Sequence, residues 1–224
     1  MSFSIPKIPQ SKDPRINLIR DIVIIFAIVL GVGAALFAVS GTWPAMVAVE
    51  SQSMVPNLNV NDLVFVVEEN RYGGFMTAVE AKQAGTTSFG EYGDVIIYRP
   101  NGMTGVTPII HRAMTWINAS TAEQAGFTGE AAHAGYITKG DNNEAFDQDA
   151  VFPNYGRMQP VKEEWIVGKA LFTLPMLGFV PLHIFESALG VILIIIILEV
   201  VSRKLKKSKE TKETKETKTK GKRK

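Results

Sequence analysis

Two serines flank a glutamine in Glu50-Ser51-Gln52-Ser53-Met54-Val55-Pro56, directly after the apolar stretch Ala45 to Val49. A serine held where a strand gives way to a turn presents its hydroxyl at the surface, and Pro56 stiffens that turn by fixing its own φ. Main-chain N–H groups and the Ser51 hydroxyl are then available to donate to a developing oxyanion. A serine nucleophile needs a base, and the chain has three histidines. His111 follows two isoleucines in Thr107-Pro-Ile-Ile-His-Arg-Ala-Met114, which reads as a strand. His133 lies among alanines and a glycine, and His183 abuts a very apolar run. Carboxylates are concentrated in Lys139-Gly-Asp141-Asn-Asn-Glu-Ala-Phe-Asp147-Gln-Asp149. By itself that cluster reads as a solvated acidic loop or a calcium turn, although EF-hand ligand spacing is missing. Turn serines before proline and lone histidines beside apolar residues are common structural residues, so spacing alone leaves both readings open. The chain has no cysteine, which removes thiol nucleophiles, disulfides and cysteine-ligated zinc together. A three-histidine metal site would consume every histidine, His183 included.

The elements that must position these residues include two apolar segments. Ile22 to Val39 is 18 consecutive residues without a charge, long enough for a membrane-spanning helix. A cleavable signal peptide is the competing reading, since Ala38 and Ser40 are small. The apolar run exceeds the usual length of such a leader's core, which favours an uncleaved anchor over 21–40. Trp43 beyond it suits a membrane interface. A second segment, 180–201, is interrupted by Glu186 and Glu199 and leads into 202–224, where 12 Lys and Arg accompany 3 Glu. The KETKETKET repeat there reads as a disordered basic tail. Lys7, Lys12, Arg15 and Arg20 precede the first segment. Basic flanks on both sides predict cytoplasmic ends, 1–20 and 202–224, with residues 41–179 outside. That outer stretch carries 8 basic and 15 acidic residues, so nucleic acid is not an expected partner. Asn118-Ala-Ser120 is a glycosylation triplet on the outer side.

Within 41–179 the apolar runs are short and rich in β-branched residues: Met46 to Val49, Leu63 to Val67, Val95 to Tyr98, Ile109 to Ile110 and Ile166 to Phe172. Such runs, bounded by Gly, Pro, Asn and Asp, predict strands. Thr77-Ala-Val-Glu80 has capping-box spacing with Gly85 as a stop, and Ser120-Thr-Ala-Glu123 with Gly126 suggests a second short helix. The expected fold is a mainly β catalytic ectodomain with small helical insertions, flanked by two transmembrane α-helices.

Four motifs then stand in one order: Ser51-x-Ser53-Met54-x-Pro56, Gly93-Asp-Val-Ile-Ile-Tyr98, Ile109-Ile-His111-Arg112, and Thr138-Lys-Gly-Asp-Asn-Asn143. Together, behind an anchor segment, they resemble the type I signal peptidases, in the branch shared by archaea and the catalytic subunit of the eukaryotic complex. The likeness covers Val47 to about Pro181. His111 stands where bacterial members carry a lysine before the arginine. The resemblance implies Ser53 as nucleophile, His111 as general base, Asp147 as the acid of the triad, Asp141 as a supporting acid and Ser51 as an oxyanion donor. It implies acyl transfer with no metal or organic cofactor, in the cell membrane, with the catalytic domain on the extracytoplasmic side. Implied partners are signal-peptide-bearing preproteins, cut after small residues at −1 and −3 and bound as an added strand in a shallow apolar groove. Membrane lipid and the protein-export channel complete the expected partners. Gln52 replaces the family's usual glycine, and Val55 a frequent glutamate. Residues 71–92 and 101–107 read as local insertions without an assigned role. Two other classes share this organisation. A non-catalytic anchor or chaperone subunit would not need Ser53, His111 and Asp147 together, whereas a membrane protease for a different precursor would keep all three.

Overall fold

A computed structural model describes residues 13–153 and 156–187 together with 189, 190, 193, 194, 197, 198 and 201. The chain divides into two compact units, Met1–Gly178 and Phe179–Lys224.

The first unit opens with helix α1 (Pro14–Ser40). Asp13 caps it by accepting from Arg15 N at 2.8 Å, and Pro14 occupies the first turn, where a missing N–H costs nothing. The helix is 27 residues long, about 40 Å at 1.5 Å per residue, and is long and apolar enough to cross a membrane. Its apolar side chains, Ile22, Phe26 and Val29 among them, are exposed. The C-terminus is closed with care. Gly41 adopts φ 76° and returns its N–H to Phe37 O at 2.8 Å, Arg71 donates to Ala38 O, and Tyr72 donates to Val39 O at 3.1 Å. Thr42 then donates to Val167 O at 2.7 Å, so the helix end is stitched directly to the sheet.

That sheet is six-stranded and antiparallel throughout. Its strands are β1 (Met46–Ala48), β2 (Leu63–Val67), β5 (Val95–Tyr98), β6 (Ile109–Ile117), β7 (Gly135–Lys139) and β10 (Ile166–Leu174), in the order β1-β2-β10-β5-β6-β7. β2 and β5 are unbroken apolar runs because both faces of the sheet are covered. Val64, Val66, Val95 and Ile97 pack with Met54 and Leu58, while Ile96 and Tyr98 pack with Met158 and Val161. Two short hairpins flank the sheet, β3 (Thr87–Ser88) with β4 (Glu91–Tyr92), and β8 (Val151–Phe152) with β9 (Gly156–Arg157).

The expected mainly β fold with small helical insertions is observed. Helix α2 (Ala78–Ala84) carries the Thr77/Glu80 capping box and stops at Gly85, φ 70°. Helix α3 (Ala119–Gln124) begins before the expected Ser120, because Asn118 takes the cap by accepting from Thr121 N at 2.8 Å. Strand β6, expected within Thr107–Met114, runs on to Ile117. In the second unit, α4 (Phe179–Leu182) is a short helix. A second membrane span over 180–201 is not shown, since much of 188–201 lies outside the described residues. So do the tail 202–224 and the N-terminal residues 1–12.

Candidate active site

The Ser51–Ser53 turn begins where Val49 leaves the sheet edge. Val49 and Met54 are both buried, so the intervening residues must bulge outward between two anchors. Val55 N bonds Gln52 O at 3.2 Å and Leu58 N bonds Met54 O at 2.9 Å, which closes the turn. Gln52 is not at a positive φ, so its replacement of glycine puts no strain into this turn. The Ser51 and Ser53 hydroxyls lie 3.1 Å apart, a hydrogen bond in which either can be the donor.

His111 sits on β6 opposite Ile96 of β5, and only 5% of it is exposed. Its Nδ1 lies 2.7 Å from Asp147 Oδ2. Asp147, 2% exposed, opens a single 3-10 turn, Asp147–Asp149, after the 140–146 loop. The same oxygen also accepts from Tyr98 OH at 2.8 Å and from Thr138 Oγ1 at 2.6 Å. An ionised carboxylate can only accept, so Nδ1 carries the imidazole proton and Nε2 keeps a free lone pair. Burial, reinforced by the Asp147 charge, pushes the Tyr98 phenol well above its ordinary value, which keeps it a donor.

The other carboxylate of this loop has different company. Asp141 receives a two-pronged contact from Arg112, Nε to Oδ1 at 2.8 Å and Nη2 to Oδ2 at 2.6 Å, and a third bond from Asn57 Nδ2 at 2.8 Å. Arg112 also donates to Ser88 O at 2.7 Å and to Gly93 O. Residues 71–92 therefore have a structural role: their hairpin turns carbonyls onto a buried guanidinium that also holds Asp141. Asp149, by contrast, is exposed and outside this constellation.

Gly140 fixes the distance between the serine turn and the histidine. A Cβ there would lie 2.6 Å from Ser53 O, 2.7 Å from Asn143 Nδ2 and 2.9 Å from His111 Nε2. No side chain fits, and the close approach of backbone to imidazole depends on that. Asn142 N donates to Ser53 O at 2.8 Å and Asn142 Nδ2 to Gln52 O at 3.2 Å, tying the loop to the turn.

Ser51, Ser53, His111 and Asn143 border one cleft of about 650 Å³, whose walls include Met46–Val49 and Pro108–Ile110. Among the described residues no hydrogen bond joins Ser53 Oγ to His111 Nε2. Catalytic contacts are often longer without substrate. The five residues singled out in the sequence thus fall in three groups around one loop: the Ser51–Ser53 turn, the His111–Asp147 pair, and Asp141 with Arg112. His133 does not join them: it bonds Ala134 O at 2.9 Å and Gln159 Oε1 at 3.2 Å. Among the described residues no group of His, Asp and Glu could hold a metal ion.

Sequence reasoning missed the roles of Tyr98, Thr138, Arg112, Asn57 and Gly140. All but Asn57 lie inside the quoted motifs, and strand alternation was a usable signal for Arg112. Adjacent residues on a strand face opposite ways, so His111 and Arg112 must serve different partners. No family model and no curated relative matches the chain.

Proposed function

We propose that this chain is a membrane-anchored serine endopeptidase of the signal-peptidase kind, which removes N-terminal signal peptides from exported preproteins. The observation that carries the reading is the buried Asp147–His111 pair, whose free Nε2 lies against Gly140 in a cleft bordered by Ser53. A non-catalytic anchor would have no need to bury an acid and a histidine together beside an exposed serine turn.

The chemistry is acyl transfer. Rotation about χ1 exchanges the Ser53 bond to Ser51 for one to His111 Nε2. Nε2 removes the hydroxyl proton as Oγ attacks the scissile carbonyl, and Asp147 stabilises the imidazolium that forms. Ser51 Oγ, 3.1 Å from the Ser53 oxygen, donates to the oxyanion along with main-chain N–H groups of the turn. The imidazolium returns its proton to the leaving amine. Water, activated by the same nitrogen, then releases the acyl group.

Substrate geometry follows from β1. It is an edge strand, and its residues Met46–Ala48 line the cleft, so an extended peptide can add to it. Small residues at −1 and −3 are what the family resemblance implies for such a groove. Helix α1 supplies a membrane anchor, and the 13 residues from Ser40 to Ser53 span at most about 45 Å, which keeps the site near the bilayer. The proposed arrangement is two spans with both ends cytoplasmic and the catalytic domain outside.

The test is incubation of purified protein with one preprotein, followed by mass spectrometry of the cut site. One cut after a small residue at −1, lost in Ser53→Ala, is expected, and an uncut preprotein overturns the reading. Cuts that ignore small residues point to a membrane protease for a different precursor. Topology has its own test, because single cysteines are clean reporters in a chain that has none. A cysteine placed in 209–220 is expected to escape an impermeant reagent in intact cells, and labelling there overturns the two-span arrangement.

A further inference from the structure

We propose that Tyr98 and Thr138 are positioning residues for the Asp147–His111 pair: the two hydroxyl protons they give to Asp147 Oδ2 fix which oxygen meets the imidazole and hold it as a carboxylate throughout the reaction. The inference rests on the serine-endopeptidase reading and assigns work to two residues that reading leaves idle.

Strand register brings them together. Ile96 is paired with His111 across β5 and β6, and Tyr98, two residues further along β5, shares that face. Ala113, two residues beyond His111 on β6, is paired with Thr138 of β7. Three adjacent strands therefore aim His111, Tyr98 and Thr138 at one point. Asp147 comes to that point from outside the sheet, on a loop with no ladder of its own. A loop carboxylate has free torsions. Three donors from three strands, at 2.7, 2.8 and 2.6 Å on a single oxygen, remove that freedom.

The proton directions can be assigned. Thr138 Oγ1 has one proton, and Asp147 Oδ2 at 2.6 Å is a nearer and charged acceptor than the Tyr98 oxygen at 3.2 Å. Gln148 Nε2 approaches the same hydroxyl oxygen at 3.4 Å, while Gln148 Oε1 accepts from Thr138 N at 3.0 Å. The Thr138 proton is thus left for the carboxylate. Tyr98 and Thr138 are fully buried, and neither borders the cleft, so they reach substrate only through Asp147. Their chemical effect is specific. With two neutral donors already on Oδ2, the carboxylate is a poorer base toward the imidazolium, and the proton taken from Ser53 stays on His111 for delivery to the leaving amine.

A simpler view is that a buried tyrosine and threonine merely need partners. The experiment separates the two in the full-length protein in detergent micelles. Steady-state cleavage of a preprotein, thermal melting and the downfield proton NMR signal of His111 Nδ1–H, assigned with His111→Gln, are measured for Tyr98→Phe, Thr138→Val and Thr138→Ser. Losing one hydrogen bond to a charged group predicts a fall in kcat of about tenfold to a hundredfold for Tyr98→Phe and for Thr138→Val. KM should stay within about twofold, Thr138→Ser should recover most of the rate, and the Nδ1–H signal should shift or broaden in Tyr98→Phe. An unmoved Nδ1–H signal, or a kcat equal to wild type, overturns the assignment. So does a rate loss that Thr138→Ser does not repair. The NMR signal needs no turnover, so a wild-type protein that cleaves nothing yet shows the Tyr98-dependent shift removes the protease reading and leaves the positioning intact.

Discussion

Asp141 and Asp147 lie six residues apart on one loop, are both bound by side chains of β6, and are used in opposite ways. Asp141 meets Arg112, a permanent cation, in a two-pronged contact, and its charge is cancelled on the spot. Asp147 meets an imidazole and two hydroxyls, none of which cancels it. The difference originates in the neighbours His111 and Arg112, which leave opposite faces of the same strand. A buried ion pair that is complete in the resting state is a fastener. A buried carboxylate whose cation forms only when a proton moves is a reagent held in reserve. The loop needs both, since the fastener determines where the reagent sits.

The comparison can be broken most severely at the reagent. Asp147→Asn puts a neutral amide in place of the carboxylate, so the imidazolium that forms loses the negative charge that stabilises it. Turnover is expected to fall about 10²- to 10⁴-fold, with the melting temperature nearly unchanged. Wild-type turnover in that variant would falsify the roles given to the two acids.

The next largest effect is expected at the hinge between the serine turn and His111. In Gly140→Ala the new methyl would start 2.6 Å from Ser53 O and 2.9 Å from His111 Nε2, so Ser53 and His111, the proposed nucleophile and base, must separate. A displacement of about 1 Å is worth about 10²-fold in rate. A fully active Gly140→Ala variant would mean that the serine turn and His111 are not braced through this contact.

Asp141→Asn sharpens the contrast from the other side. Removing one partner of a buried pair costs about 3–5 kcal/mol, which lowers the melting temperature of a chain this size by about 6–20 °C. Asn57 and Arg112 then face one neutral accepting oxygen instead of two charged ones, so the loop loosens and activity falls together with stability. Melting curves of the two Asn variants, run side by side, give the result. Equal melting temperatures would erase the distinction between fastener and reagent.

The smallest effect concerns alkaline pH. The Tyr98 phenol is raised well above 10.0 in the fold, so the native state keeps a proton that the unfolded chain loses above about pH 10. The stability that Tyr98 contributes is complete below that pH and declines as pH rises toward the folded value, at most about 1.4 kcal/mol per pH unit. Melting temperatures between pH 9 and 11 should therefore fall less steeply in Tyr98→Phe than in the wild type. Parallel slopes would mean that burial and the Asp147 charge do not hold the phenol protonated.

Much of this framework is legible in the residues. Leu63–Val67 and Val95–Tyr98 are strands over the predicted limits, because burial of both faces demands unbroken apolar side chains. The Thr77/Glu80 box and Gly85 delimit a helix through local hydrogen bonds alone. Strand β6 was legible as far as Met114 but not to its end at Ile117, since its residues alternate between site, core and solvent and interrupt the apolar pattern. Strand β7 escaped for the same reason, with Thr138 spent on Asp147 and Lys139 beyond it. Ser53, His111 and Asp147 could be named from motif order. The fastening of Asp141 by Arg112 and Asn57 could not, because it depends on a register and a hairpin that no spacing reveals. Residue 118 shows how local chemistry competes: the asparagine of the triplet is itself the helix cap, two residues ahead of the serine expected to serve.

The closed end of α1 has a consequence of its own. Arg71, Tyr72 and Gly41 occupy the carbonyls of the last turn, and Thr42 joins the next residue to β10. Such a joint has no swivel. With α1 seated in a bilayer, the serine turn would stand at a set altitude above the lipid, like a cutter clamped to a rail. The choice of bond would then depend on how far a substrate has emerged as well as on which side chains it presents.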